Sequence, residues 1–335
     1  MSTLNNQCKL AARPEGLVKD TDFEFVSEPC PAAEEGQFVV RVDYLSIDPA
    51  MRTWMNAGRS YVPPVQIGEV MRALAIGTVV ESSHPGFALG DVVSGMFGVQ
   101  NFAVSDGAGV TKVDTAAAPA TAYLSTLGIS GLTAYFGLLD VGMPEPGQTV
   151  LISGAAGSVG SVVGRIAKIK GCRVIGIAGG EEKCRWLVDE VGFDAAIDYR
   201  GGDLHAQLKT HAPDGVDVFF DNVGGATLEA ALNRLARGAR VVLCGAVSQY
   251  NDKPSGPANY MQLLVARASM TGFVIFDYAR RYPEGIAQLS AWLAEGRLRS
   301  DEHIVSGQVS DFPDTLRKVF KGENTGKMIL AFDRL

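Results

Sequence analysis

Residues 149–184 read TVLISGAAGSVGSVVGRIAKIKGCRVIGIAGGEEKC, and the fold turns on them. TVLISG (149–154) is a short apolar run of the kind that forms a buried strand. GAAGSVG (154–160) is a glycine-rich turn, and SVGSVVGRIAKIKG (158–171) repeats apolar residues at helical spacing. CRVIGIAG (172–179) is a second strand and EEKCRWLVDEVG (181–192) a second helix. Together they make a strand–turn–helix–strand unit. In such a unit the turn aims unpaired backbone N–H groups and the positive helix end at a pyrophosphate. Gly157 lets the backbone approach the phosphates, and Gly160 lets helix and strand pack. A G-x-G-x-x-G pattern would need glycine at 155, where Ala155 stands.

The end of the second strand selects the dinucleotide. About 20 residues past the glycine turn, NAD-binding units carry Asp or Glu for the ribose 2′-hydroxyl. A carboxylate there repels a 2′-phosphate. Here the strand ends in Ala178-Gly179-Gly180, Lys183 follows within reach, and Tyr199 and Arg200 end the third strand alongside. Glu181 and Glu182 read as first-turn residues favoured by the helix dipole and pointing to solvent. The stretch predicts a grip on NADPH.

Working outward, AAIDYR (195–200), VDVFFDNVGG (216–225), ARVVLCGAV (239–247) and SMTGFVIF (269–276) supply further strands, and GLTAYFGLLDVG (131–142) a helix. Strands apolar on both faces, alternating with helices, predict an α/β doubly wound parallel sheet over residues 124–299. The earlier region is β-rich and punctuated by Gly and Pro, with strands FVVRVDYLSI (38–47), IGTVVES (76–82) and DVVSGMF (91–97). DPAMRTWM (48–55) predicts a helix capped by Asp48, with Pro49 at its first position and Arg52 paired to the cap. GKMILAFDR (326–334) is a strand too late for the parallel sheet and is expected to return to the first domain, which then comprises 1–123 and 300–335.

The 335 residues are 47% hydrophobic and 20% charged, with a net charge of −7 that argues against nucleic acid or anionic membrane as partner. Five scattered cysteines form no C-x-x-C pair, which points to a reduced, cytoplasmic setting and not to a disulfide framework. No apolar run is long enough to span a bilayer. Of four histidines, His84 alone precedes residue 200, with no cysteine near it, and His205, His211 and His303 are dispersed and expected to be exposed. A catalytic zinc is therefore not expected. No G-x-S-x-G elbow or catalytic cysteine motif is present, so the chemistry is expected to come mostly from the cofactor.

Along nearly its whole length the chain resembles the zinc-free medium-chain dehydrogenase/reductases, in the branch of leukotriene 12-hydroxydehydrogenase/prostaglandin reductases, alkenal double-bond reductases and curcumin reductase. The segments that carry the resemblance are YLSIDPAMR (44–52), GLTAY (131–135), the 154–184 stretch, GFDAAIDY (192–199), FDNVGG (220–225), VSQYN (247–251) and GKMI (326–329). The resemblance implies a Rossmann domain joined to a β-rich GroES-like domain, and NADPH-dependent reduction of the C=C bond of α,β-unsaturated aldehydes and ketones. It implies that Ala156, Gly157, Ser158 and Val159 hold the pyrophosphate, and Gly179, Lys183 and Tyr199 the 2′-phosphate. Asn222 would lie along the cofactor, and Cys244, Gly245, Ala246, Val247, Ser248, Gln249 and Tyr250 would pass beside the ribose and nicotinamide. Phe273, Val274, Ile275 and Asn324 would close on the carboxamide side. Relatives pair through the last strand of the cofactor domain, so a homodimer is expected.

Tyr250, a phenol in a polar turn after a strand, is the first candidate to stabilise the developing oxyanion; the nicotinamide ribose 2′-hydroxyl is the other. Tyr44 is a substrate-side candidate, as are Met96 and Phe97, which either line the substrate cavity or simply pack. Cys184 and Cys244 read as small buried apolar residues. The sequence departs from its family where Ala50 replaces the tyrosine of D-P-Y-M-R and where GMFGVQN lacks a tryptophan before its glutamine. Both changes fall on the expected substrate side. Two other readings stay open: a quinone reductase of the same superfamily, and a non-enzymatic NADPH-binding protein. An alcohol dehydrogenase is disfavoured by the scarcity of metal ligands.

Overall fold

In a computed structural model, which describes residues 4–333, strands Ala195–Asp198, Arg173–Ala178, Thr149–Ser153, Val216–Asp221, Leu235–Leu243 and Ser269–Gly272 lie side by side in that order. Every pairing among them is parallel. This is the doubly wound Rossmann order, with the first and fourth strands adjacent where the winding reverses. Consecutive residues of the inner strands are buried, among them Val150, Leu151 and Ile152 and Val218, Phe219 and Phe220. Burial on both faces is what helices on both sides of a sheet produce. The helix Ser158–Ile169 follows the glycine turn, and Glu181–Trp186 continues as a wider turn through Leu187–Val191 to a left-handed Gly192 (φ 88°).

Several of the expected strands change extent: the run over 195–200 stops at Asp198 and that over 216–225 at Asp221. The fifth starts at Leu235 and stops at Leu243. The sixth stops at Gly272, and the chain turns into a 3₁₀ helix over Ile275–Arg281.

The alanine at 155 has a packing explanation. Ala155 is fully buried, and its amide donates to the carbonyl of Ile177 on the neighbouring strand. Its methyl faces Gly176, where an added Cβ would lie 2.9 Å from it. The missing glycine of the turn is thus matched by a glycine in the strand beneath.

The chain divides into two units, one comprising Ser125–Asp301 and the other the chain up to Leu124 and from Glu302 onward. The latter holds a seven-stranded sheet in the order Glu302–Gly307, Lys327–Phe332, Phe38–Ser46, Ala75–Ser82, Val92–Gly95 and Thr111–Lys112, with Phe102–Ser105 off that path against Phe38–Ser46. Lys327–Phe332 runs antiparallel to Phe38–Ser46, so the late strand does return to the first region; Arg334 of the expected run lies outside the described residues. A separate antiparallel pair, Leu4–Leu10 with Phe23–Pro29, was not legible from hydropathy, because LNNQCKL and FEFVSEP are half polar.

The short helix is Ala50–Trp54, and Asp48 does not cap it. The Asp48 carboxylate instead accepts from the buried ammonium of Lys327 at 2.5 Å and from the Ser46 hydroxyl. Arg52 is not its pair either. The Arg52 guanidinium donates to the carbonyls of Gly16 and Pro14 and to Asn56 Oδ1. Burial of the Lys327 cation requires a charged partner, and Asp48 is the one the sheet brings to it.

Candidate functional site

The glycine turn leaves the first parallel strand at Gly154 (φ 58°), and Gly157 enters the helix in an extended conformation. A Cβ on Gly160 would lie 2.5 Å from the Gly154 carbonyl oxygen and 2.7 Å from Ala155 Cα. Glycine is required there for the helix to start this close to the strand. Gly157 N–H donates to the Gly154 carbonyl, which tightens the turn and leaves the first amides of the helix facing outward. The Ser158 hydroxyl oxygen is buried and has no hydrogen-bond partner. A buried hydroxyl at the positive end of a helix is complementary to an anionic oxygen.

The second corner lies where the second and third strands end. Asp198 accepts at Oδ1 from the Gly180 amide (2.8 Å) and the Arg200 amide (2.9 Å), tying the two strand exits together. One oxygen of its carboxylate is thereby committed to the backbone. Gly179 lies beneath the side chains of Tyr199 and Arg200: an added Cβ would be 2.9 Å from both the Tyr199 hydroxyl and Arg200 Nε. The Arg200 guanidinium stands 5.5 Å over the Tyr199 ring. Burial lowers the pKa of Lys183, and the Arg200 charge lowers it further, against a smaller opposing effect from Glu182. Glu181 and Glu182 are exposed, Glu181 reaching towards Arg185 at 3.9 Å. The corner gathers two cations and a phenol. Arg200, noted in the sequence merely as a neighbour, is drawn in because Asp198 turns the chain back over Gly179.

Between these corners, at the point where the strand order reverses, Asp221 organises the floor. It is completely buried and accepts from the Ser153 hydroxyl at 2.6 Å, the Val223 amide at 3.0 Å and the Gly224 amide at 3.1 Å. Burial raises its pKa, and those hydrogen bonds oppose the rise. Its main-chain carbonyl takes the amides of Cys244 and Gly245. The adjacent Asn222 donates from Nδ2 to the Ser153 carbonyl, and its own carbonyl accepts from the Val247 amide. Ser248 bonds the Val223 carbonyl through its hydroxyl (2.6 Å) and its amide. One buried aspartate, through its carboxylate and its main-chain carbonyl, therefore ties together the exits of three strands.

Tyr250 folds back over this floor. Its hydroxyl oxygen accepts from the Ala246 amide at 3.3 Å and lies 2.9 Å from where a Cβ on Gly245 would be. Gln249 forms a reciprocal pair with Ser255, its Nε2 donating to the Ser255 carbonyl and its Oε1 accepting the Ser255 amide. Cys244, half-buried, has a thiol pushed up to about 12 by burial and by Asp221. Burial raises the Cys184 thiol as well, with Asp198 adding to it. Both thiols stay protonated at neutral pH and are poor nucleophiles. Phe273 packs on Gly137, where a Cβ would meet its ring at 2.4 Å, and Tyr282 donates its hydroxyl to the Ile275 carbonyl.

The remaining candidates sit in the other unit. Tyr44 is half-buried against a small cluster of Ile76, Val113, Leu124 and Ile329. Phe97 is 5% exposed, inside the main hydrophobic core of its unit, whereas Met96 is 49% exposed. Asn324 is buried, its Nδ2 donating to the Gly326 carbonyl. Ala50 is partly buried against the main core. Among the described residues no group of three or more His, Cys, Asp or Glu side chains is placed to hold a metal. His205 is exposed as expected, while His211 and His303 are half-buried.

Comparison with known proteins places this geometry. Residues 6–113 match a family described as the N-terminal domain of oxidoreductase, and 158–292 one described as zinc-binding dehydrogenase. The chain is 39% identical to the NADPH-dependent curcumin reductase of Escherichia coli, over 97% of this chain and 96% of that protein. It is 36% identical to mouse prostaglandin reductase 1, over 94% and 95%. The crystal structure of CurA from Vibrio vulnificus in complex with NADPH superposes with a TM-score of 0.93 at 40% identity, covering 98% of this chain and all (100%) of that one. The chain belongs to the medium-chain dehydrogenase/reductases, in the zinc-free branch of the curcumin, prostaglandin and 2-alkenal reductases.

Proposed function

We propose that this protein is a cytoplasmic oxidoreductase that reduces the C=C bond of α,β-unsaturated aldehydes and ketones with NADPH. The observation that carries the reading is the corner at Gly179: a strand end without a side chain, flanked by Lys183 and Tyr199, with its nearby carboxylate bonded to the backbone. Such a corner accepts a 2′-phosphate and leaves a bare 2′-hydroxyl without its acidic partner. The buried, unpartnered Ser158 hydroxyl fits a pyrophosphate oxygen beside Ala156, Gly157 and Val159. Names of relatives support the substrate class: a tobacco 2-alkenal reductase at 35% identity and a peppermint (+)-pulegone reductase at 33%.

When bound, NADPH supplies the hydride that adds to the β-carbon of the enone. The chain has to position the nicotinamide, stabilise negative charge at the carbonyl oxygen and hold the substrate. We assign the charge stabilisation to Tyr250, whose phenol the Ala246 amide holds at the mouth of the floor built by Asp221. Asn222 and the backbone of Cys244–Gln249 bind the ribose and nicotinamide, and Phe273, Val274 and Ile275 the carboxamide side. By family resemblance we assign Asn324 to the cofactor, and Tyr44, Met96 and Phe97 to the substrate.

We further propose a homodimer. The strand Ser269–Gly272 ends the parallel sheet, and beside it Tyr260, Met261, Leu264 and Val265 are 51–69% exposed. An open strand edge next to an exposed apolar patch is what an isologous partner covers.

The test is NADPH oxidation by the purified chain across a panel of enals, enones, quinones and simple ketones, with product analysis. Saturated carbonyl products from the enals and enones are expected. Turnover of quinones alone would establish a quinone reductase, and no turnover of any substrate despite NADPH binding would leave a non-catalytic binding protein.

A further inference from the structure

The Gly179 corner holds one more cation than the strand-end pattern assigns to it. Arg200 is the second residue past the third strand, a position from which a long side chain ordinarily runs out to solvent. Here Asp198 accepts its amide at 2.9 Å and the Gly180 amide at 2.8 Å, so the chain bends towards the neighbouring strand end. The side chain then lies across Gly179, with Nε 2.9 Å from the position of an added Cβ. Its guanidinium lies 5.5 Å over the Tyr199 ring, a cation–π contact that holds it at this corner. Both Tyr199 and Arg200 stay exposed, and so can be reached by a ligand. Lys183 approaches from the following helix closely enough for the two positive charges to repel.

Two cations near one strand end make that corner complementary to an anion. Lysine meets a phosphate as a point charge, whereas a planar guanidinium matches two of its oxygens at once. Resting on the NADPH reading of this corner, we propose that Arg200 is a specificity-determining residue that binds the cofactor's 2′-phosphate through its guanidinium, with Lys183 as the second cation and Tyr199 as the platform. Gly179 is bare because the Tyr199 and Arg200 side chains cross it.

The experiment is equilibrium titration of the full-length protein and its Arg200→Gln, Arg200→Lys and Lys183→Gln variants. The ligands are NADPH, NADH, adenosine 2′,5′-bisphosphate and adenosine 5′-phosphate, and melting temperatures are recorded alongside. Arg200→Gln is expected to weaken NADPH and adenosine 2′,5′-bisphosphate by about 10- to 100-fold, the range for hydrogen bonds to a charged group. NADH and adenosine 5′-phosphate should change less than about twofold on the same grounds. Arg200→Lys should recover part of the loss, since charge returns without the fork. The proposal is overturned if Arg200→Gln binds adenosine 2′,5′-bisphosphate as the parent does while Lys183→Gln loses it; the 2′-phosphate reading then stands with Lys183 alone. It is also overturned if Arg200→Gln weakens all four ligands equally, which marks a structural role. If neither variant separates NADPH from NADH, the NADPH reading of the corner itself fails.

Discussion

Tyr250 and Gly245 act as a pair. The phenol oxygen occupies the space that a Cβ at 245 would need, and the Ala246 amide holds it there. Tyr250→Phe should lower enone turnover by about a hundredfold, the usual cost of one oxyanion donor, with NADPH affinity nearly unchanged. Gly245→Ala should have a similar effect by displacing the phenol. Steady-state kinetics on both variants check this, and undiminished turnover in Tyr250→Phe removes the residue from the mechanism. The thiol of Cys244 gives a pH prediction. Its folded pKa is raised to about 12 by burial and Asp221, so the reactive thiolate is scarce until strongly alkaline pH. Mass spectrometry after iodoacetamide treatment should find Cys244 unmodified at neutral pH and labelled as pH rises towards that value. Fast labelling at neutral pH would contradict it. At this scale the sequence was most readable where a residue's type sets its role, as with Gly160, whose missing side chain lets the helix start against the strand. It was least readable for Asp48, Lys327 and Arg200, whose roles depend on partners brought close by folding.

At the scale of elements, the glycine turn and the strand beneath it were built together. Gly176 has room for no side chain, because a Cβ would also lie 2.9 Å from Leu187 and from Phe193. Gly176→Ala should destabilise the protein by about 1–3 kcal/mol through overpacking. Adding Ala155→Gly should return part of that loss, because the two methyl positions collide. Denaturant titration of both single variants and the double variant measures the coupling, and strict additivity would contradict the packing argument. The inner parallel strands were legible as apolar runs because burial on both faces leaves no alternation to misread. Leu4–Leu10 and Phe23–Pro29 were not, since polar residues interrupt the apolar pattern of both. The stop at Gly272 was missed as well: hydropathy continues through Phe273–Ile275, but the pairing does not.

At the scale of the whole molecule, net charge and surface pattern bear on association. With −7 overall, copies repel weakly at long range, so pairing has to rest on apolar contact. Leu264→Glu combined with Val265→Glu places charge in the most exposed part of the patch beside the edge strand. Light scattering should find the parent dimeric and this variant monomeric, with cofactor affinity retained. A monomeric parent would rule out the proposed pairing.

The amino-acid sequence by itself determined the α/β class, the β-rich first region, the return of the final strand and the glycine-rich turn between the first strand and its helix. Each of these depends on local periodicity or on a glycine whose neighbours in sequence are its neighbours in space. Tertiary structure alone decided that Asp198 clips two strand ends together and that Asp221 ties three strand exits. It alone brought Lys327 to Asp48 and laid Arg200 across Gly179. The physical reason is that hydropathy records whether a residue is buried, whereas the partner of a buried or bent-back polar group is set by strand order and register, which periodicity does not encode.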